Sequence, residues 1–298
     1  WQAYNPSEAF LTVSTALYNS EYTTVEERAE MMAEALTLSL EDSARIWLKD
    51  DTGIAPLRSE LSVASDLSGS IYGSSLWSVT LKYENQVGGS VTIGMPSIMT
   101  QPWNPIDGSN WVYDMMPIRG MNSMAVYPDP FTGLQVPNRL AKAEVFIEEG
   151  LPVGVSSDWV TLEFVPEIEV PGDAWSDWDA VNQVFITASE RFTETQTAKA
   201  KVVMYYEDDY FDKMTWHTGS PVTIADHVMY MIMNFEQSKP ESAIYDEATV
   251  ASFESFMSSF KGWKVTSTDP FIVEYYTDVY DLDAENNVSN GRAAHMSA

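Results

Sequence analysis

Cysteine is absent from the 298 residues, which excludes disulfide staples, thiolate metal sites and cysteine nucleophiles together. Histidine is scarce: there are three, and His295 falls in a terminal segment with the character of a tag. Basic residues are few, 16 against 44 acidic ones, so the net charge is -28 and the pI about 4.1. Such a surface repels polyanions, which excludes nucleic acid and anionic lipid as natural partners. It favours cationic ligands slightly and keeps a protein soluble in salty, acidic or extracellular settings. No stretch approaches the roughly 18–20 apolar residues of a membrane span. The Gly-x-Ser-x-Gly elbow, His-Glu-x-x-His and Gly-x-x-x-x-Gly-Lys-Ser/Thr patterns are all missing, so neither a hydrolase nor a nucleotide-hydrolysing enzyme is indicated.

What is present can build a sizeable core, since 45% of the chain is hydrophobic and 12% aromatic. "TTVEERAEMMAEALTLSLEDSARIWLKD" (23–50) predicts a helix, opened by a capping box of Thr24 and Glu27. A Ser- and Gly-rich connection follows (52–77). "SVTLKYE" (78–84) and "GGSVTIGMP" (88–96) alternate with period two and predict a strand pair. From 97 to 140 the chain is rich in proline, with Pro102, Pro105, Pro117, Pro128, Pro130 and Pro137, and reads as loops around a short helix at 108–116. Strands are expected at 143–150, 158–166, 183–187 and 198–207, helices at 223–237 and 247–262, and a closing strand pair at 263–277. Strands and helices are intermixed without strict alternation, which predicts an α+β fold.

"TWHTGSPVTIADHVMYMI" (215–232) joins a turn to a helix. Gly219, Ser220 and Pro221 turn the chain, Thr223 is the N-cap, and Asp226 reaches back in the first helical turn. Asp226 also opposes the positive end of the helix dipole. These are structural tasks, and His217 beside the turn reads as a hydrogen-bonding strut.

The same residues carry a resemblance. Trp216, His217, Gly219, Ser220, Pro221, Thr223, Asp226 and Val228 resemble a pattern of the family 5 (peptide/nickel type) substrate-binding proteins of ABC transporters, with Thr218 where the family has Asp. "GGSVTIGMPSIMTQPWNPIDGSN" (88–110) is similar to the family's opening strand, and "DPFTGLQVPNRLAKAEV" (129–145) to its Asp-Pro-x-Thr-Gly segment. The resemblance implies a mixed-sheet lobe of a type II periplasmic-binding-protein-like fold over 86–290, preceded by a helix-rich segment over 1–85. Residues 291–298 read as a tag. It further implies an extracytoplasmic protein that captures an oligopeptide-like or other small solute, docks on a membrane permease, and is neither an enzyme nor in need of a cofactor. The opening "WQAYNPSEAF" has no initiating Met and no basic n-region, and is expected to belong to a longer chain.

Trp103, Asn104, Trp111 and Tyr113, in the proline-rich segment, are the expected ligand-facing residues, because loops carry binding groups disproportionately and aromatic walls suit ligands of mixed polarity. Tyr127, Trp175 and Trp178 are similarly placed. Asp173, Asp177, Asp179 and Asn182 in "DAWSDWDAVNQ", and the acidic run "YDLDAENNVSNG" (280–291), offer oxygen ligands at short spacing. Both lack the turn glycine of an EF-hand and read as solvated loops without metal. The alternative to solute capture is an acidic surface or scaffold module that uses the 97–140 loops as a partner interface. An open aromatic hollow favours capture, and a filled surface favours the scaffold.

Overall fold

The computed structural model describes residues 4–43, 48, 54–67, 69–95, 97 and 111–290. The chain divides into two compact units, residues 1–54 with 149–153, and residues 55–148 with 154–298.

The first unit contains an antiparallel pair of helices, α1 (Glu8–Tyr18) and α2 (Val25–Glu41). Ser7 caps α1 by accepting from the Phe10 N–H. Thr24 caps α2 by accepting from the Glu27 N–H at 3.0 Å. The Glu27 carboxylate reaches the N–H and hydroxyl of Thr23, at 2.8 and 3.0 Å, so the reciprocal half of the expected box lies one residue upstream. Tyr4 donates to Asp42 at 2.7 Å, tying the entry of α1 to the exit of α2. The expected helix end beyond Ser43 lies largely outside the described residues.

The second unit is organised by a seven-stranded mixed sheet. Its longer elements and the strands of that sheet are, in chain order, α3 (Val112–Met121), β1 (Leu140–Glu148), β2 (Val160–Val165), β3 (Trp175–Asp179), β4 (Val184–Thr187), β5 (Ala200–Tyr206), α4 (Ile224–Glu236), α5 (Glu247–Ser259), β6 (Phe260–Thr268), β7 (Phe271–Thr277) and α6 (Ala284–Asn290). The strand order is β2-β1-β5-β7-β6-β3-β4; β1 and β2 are parallel and every other pair is antiparallel. The expected α+β class is therefore observed.

Register explains the core. Val145, Val202, Tyr275, Trp263 and Trp175 stand opposite one another across five strands, and residues directly opposite share a face. Helices α4 and α5 cover that face. His227 of α4 packs on Phe271, with ring centroids 4.8 Å apart, and Phe235 on Phe260 at 5.9 Å. Along the other face Glu144, Lys201 and Glu274 form an ionic row, with Lys201 to Glu274 at 2.8 Å. This is the apolar-in, polar-out alternation of a sheet with one well-covered face. A smaller cluster of Ile168, Val170, Ala174, Ala188 and Ala198 buries Tyr276.

Gly262 sits where β6 passes closest to residues 170–176. A Cβ there would stand 2.9 Å from the Ala174 Cβ and 3.2 Å from a Val170 methyl. Gly262→Ala is expected to cost about 1–3 kcal/mol by overpacking. Ala174→Gly introduced alongside it should return part of that loss. Denaturant titration of the four proteins in the double-mutant cycle checks this, and simple additivity would refute the contact.

Three local expectations are corrected. Residues 173–183 are not a loop but largely the β3–β4 hairpin, and each of the three carboxylates already has a partner. Asp173 pairs with Lys264 at 2.7 Å and Asp177 with Lys239 at 2.7 Å, while Asp179 accepts from the N–H groups of Val181 and Asn182 at 2.9 Å each. The run 280–291 includes α6, whose Glu285 and Val288 are fully buried. Among the described residues no group of three or more His, Asp or Glu is placed to hold a metal. The expected pair 78–84/88–96 also does not form. Trp77–Thr80 is a helical turn, and only Lys82–Tyr83 is strand, paired with Leu61–Ser62. Gly88 and Gly89 have φ of 74° and 118°, a left-handed turn that leads the following residues away from that ladder.

Candidate functional site

Within the second unit, a hollow of about 320 Å³ opens beside the segment that follows Gly89. Met116 of α3, almost fully buried, helps line it; Leu61, Tyr72, Leu81, Val91 and Ile93 contribute apolar wall. A broader basin on a neighbouring side also uses Val91 and Ile93. Both side chains are exposed. Among the described residues, Val91–Gly94 belong to no strand pair. The alternation legible in "SVTIG" therefore belongs to a segment whose backbone, among the described residues, is not taken up by a ladder.

The hollow is braced from behind. Arg119 of α3 donates to the Tyr72 carbonyl at 2.6 Å, and the indole of Trp77 donates to the Met116 carbonyl at 2.9 Å. α3 approaches Trp77 so closely at Gly120 that a Cβ there would lie 2.8 Å from the ring. Tyr83 donates to the Ser90 carbonyl at 2.8 Å and fixes the start of the unpaired segment. Helix α3 begins four residues after the expected start at 108, from an N-cap at Trp111, and runs through Pro117 to Met121.

Of the four expected ligand-facing residues, Trp103 and Asn104 lie outside the described residues. Trp111 and Tyr113 are brought together, with ring centroids 6.1 Å apart. The edge of Tyr113 meets Tyr72 at 5.5 Å, so Tyr113 backs a residue that lines the hollow. Trp111 is exposed. Tyr127 is buried, and its hydroxyl donates to the Asn122 carbonyl at 3.2 Å. Tyr72, Tyr83 and Met116 were not singled out from sequence. Period-two spacing at 88–96 was the available signal, because an alternating segment without a hairpin partner leaves backbone groups to be satisfied from outside.

The turn at 216–220 is a tight hairpin. The Gly219 N–H donates to the Trp216 carbonyl and the Trp216 N–H to the Ser220 carbonyl, both at 2.8 Å. Gly219 has φ of 82°, which a residue with a Cβ adopts only with strain. Asp226 accepts from the Thr223 N–H at 2.7 Å, the Thr223 hydroxyl at 2.9 Å and the Trp216 indole at 3.2 Å. Burial pushes this carboxyl up, but the hydrogen bonds outweigh it and hold the pKa below the ordinary range. Thr223 and Asp226 thus anchor α4, as expected. His217 stands exposed at the tip. On the inner side of α4, buried His227 meets the Tyr210 hydroxyl at 3.0 Å.

No family model matches the chain, and no curated protein matches it.

Proposed function

We propose that this chain is the extracytoplasmic solute-binding component of an ABC transporter, built on a type II periplasmic-binding-protein-like lobe, and that it captures an oligopeptide-like solute without bond chemistry. The supporting observation is the juxtaposition of an apolar hollow of ligand size with a segment of period-two sequence at its wall, Val91–Gly94, that belongs to no strand pair among the described residues. Pockets for small ligands begin near this volume and are largely apolar, with a few polar groups that fix orientation. An extended peptide is the ligand that uses both features. Its main chain adds a strand to Val91–Gly94, and an alternate side chain enters the space between Tyr72 and Met116. Arg58 at the rim is paired with Glu60, so the hollow presents little free positive charge. Capture would favour one of two conformations by the difference in its affinity for them, and the occupied form would dock on a permease in the membrane.

The reading is tested by thermal shift with peptides of two to six residues, alongside sugars and metal salts. A peptide at 100 times its Kd should add about 2.7 kcal/mol. Peptides N-methylated at alternate positions should lose most of that gain, because each methyl removes a main-chain donor. Tyr72→Ala should weaken binding by about tenfold or more, the scale of a lost anchoring side chain. Silence across all three ligand classes, or peptide binding indifferent to both N-methylation and Tyr72, would sink the proposal.

A further inference from the structure

The second unit has another hollow, of about 290 Å³, that the solute-capture reading does not use. It lies between the end of α3 and the turn at His217, and Arg139, Met121, Met214, Trp216 and Val222 contribute to its wall. We propose that it is a second ligand site, selective for the carboxylate of a small organic acid with an apolar body.

Arg139 carries the argument. It enters β1 and is only half-exposed. Its Nε and Nη2 both donate to the Ser123 hydroxyl oxygen, at 3.1 and 3.0 Å, so one edge of the guanidinium is fixed on a single neutral atom. The other edge, formed by Nη1 and the second Nη2 hydrogen, keeps the parallel pair of donors that matches a carboxylate. Among the described residues no Asp or Glu forms an ion pair with Arg139. Among the described residues Arg119 and Arg191 are also half-buried and outside the ion pairs, but they donate to backbone carbonyls, whereas Arg139 donates to the Ser123 hydroxyl at the wall of a hollow.

The surrounding charges leave that edge available. Lys213 at the rim is paired with Asp209 at 2.5 Å. Asp226 is occupied by Thr223 and Trp216. The Tyr210 hydroxyl is engaged with His227. Beyond Arg139 the wall mixes Met121, Met214, Trp216 and the buried Val222 with Thr215 and His217, and its apolar part suits the hydrocarbon of an acid better than a fully hydrated inorganic anion. No residue is shared with the hollow at Tyr72, so either proposal can fail without the other.

Calorimetry on the full chain with benzoate, hexanoate and an N-acetylated dipeptide, each against its own amide, and with inorganic phosphate, decides the matter. At least one carboxylate should bind at least about tenfold more tightly than its amide, the scale of a charge-assisted hydrogen bond. Comparing the simple acids with the dipeptide identifies which source of carboxylate fits. Arg139→Gln should abolish that preference, Arg139→Lys should weaken binding about tenfold, and Ser123→Ala should weaken it less. The acid-to-amide comparison needs no variant, so a misfolded Arg139→Gln does not protect the idea. Equal binding of acid and amide, phosphate tighter than every carboxylate, or no carboxylate binding at 10 mM or so would overturn it.

Discussion

Replacing Glu285 with alanine is expected to lower the stability of the second unit by about 2–5 kcal/mol, the loss of two hydrogen bonds to a charged acceptor. Glu285 is completely inaccessible to solvent. Its Oε1 accepts from the N–H groups of Ser156 and Ser157, at 2.7 and 2.5 Å, and those residues lie in the connection between β1 and β2. Helix α6, which packs against β1, β2 and β5, is therefore pinned by one carboxylate to a loop about 130 residues earlier. Truncation removes the acceptor of both amides and frees the end of α6. Glu285→Gln keeps an acceptor and should cost less, about 1–2 kcal/mol on the same scale. Denaturant titration reads both variants; a loss below about 0.5 kcal/mol for Glu285→Ala would mean that the pin contributes nothing.

The same group makes a pH prediction. Burial pushes the Glu285 carboxyl up, but hydrogen bonds from its own backbone N–H and from Ser156 and Ser157 together outweigh burial and leave its pKa below the ordinary value. Stability from a lowered carboxyl is complete above the unfolded value of about 4.3 and is lost as pH falls through the folded one. Asp283 runs the other way. Burial, then the negative charges of Asp281 and Glu285, raise its pKa, so its ionised form destabilises the fold near neutrality and protonation relieves that cost. Wild type should therefore lose stability below about pH 4.3 relative to Glu285→Gln, and the gap between the two should be constant above pH 6 or so. A gap that stays constant down to pH 3 would show that Glu285 does not titrate differently in the folded state.

The larger periodic elements of the second unit were legible because local pattern and global packing agree there. "AKAKVVMYYE" is a central strand, "TIADHVMYMIMNFEQ" a helix capped by Thr223 and Asp226, and 263–277 falls within a hairpin. Legibility failed where the period was real but its partner was not local. "SVTIG" alternates as a strand should, yet Gly88 and Gly89 carry it away from the neighbour that spacing predicts. It failed again where polar residues hid an ordered element. α6 buries Glu285 and Asn287, and a helix whose inward face includes a carboxylate and an amide has no apolar stripe to read. The hollow at Arg139 was invisible for a different reason: Ser123, Arg139 and Trp216 are far apart in sequence, and only the fold brings them to one wall. The structural part of the 215–232 reading, Thr223 with Asp226, was local and therefore readable.

Trp178→Ala is expected to cost about 3–5 kcal/mol, the range for truncating a buried large aromatic. With Trp175, this side chain had been grouped among loop aromatics. A register shift between Trp175 and Asp177 interrupts the strand alternation, so both rings meet Phe185, but Trp175 is only partly covered whereas Trp178 is buried. Trp178 is 4% exposed. Its ring meets the edge of Phe185 at 4.9 Å, and its indole N–H donates to Glu236 at the end of α4. Two losses follow from truncation, the packing between β3, β4 and α4 and a charge-assisted hydrogen bond. Trp178→Phe separates them, since it keeps most of the buried ring and removes only the donor. Its cost should be about 1–2 kcal/mol, because Glu236 retains a hydrogen bond from Gln183 at 3.1 Å. Trp111→Ala, at an exposed ring, should stay within about 0.5 kcal/mol. The order Trp178→Ala, Trp178→Phe, Trp111→Ala in midpoint shift is the measurable statement, and a Trp178→Phe as costly as the alanine variant would assign the effect to Glu236 rather than to packing.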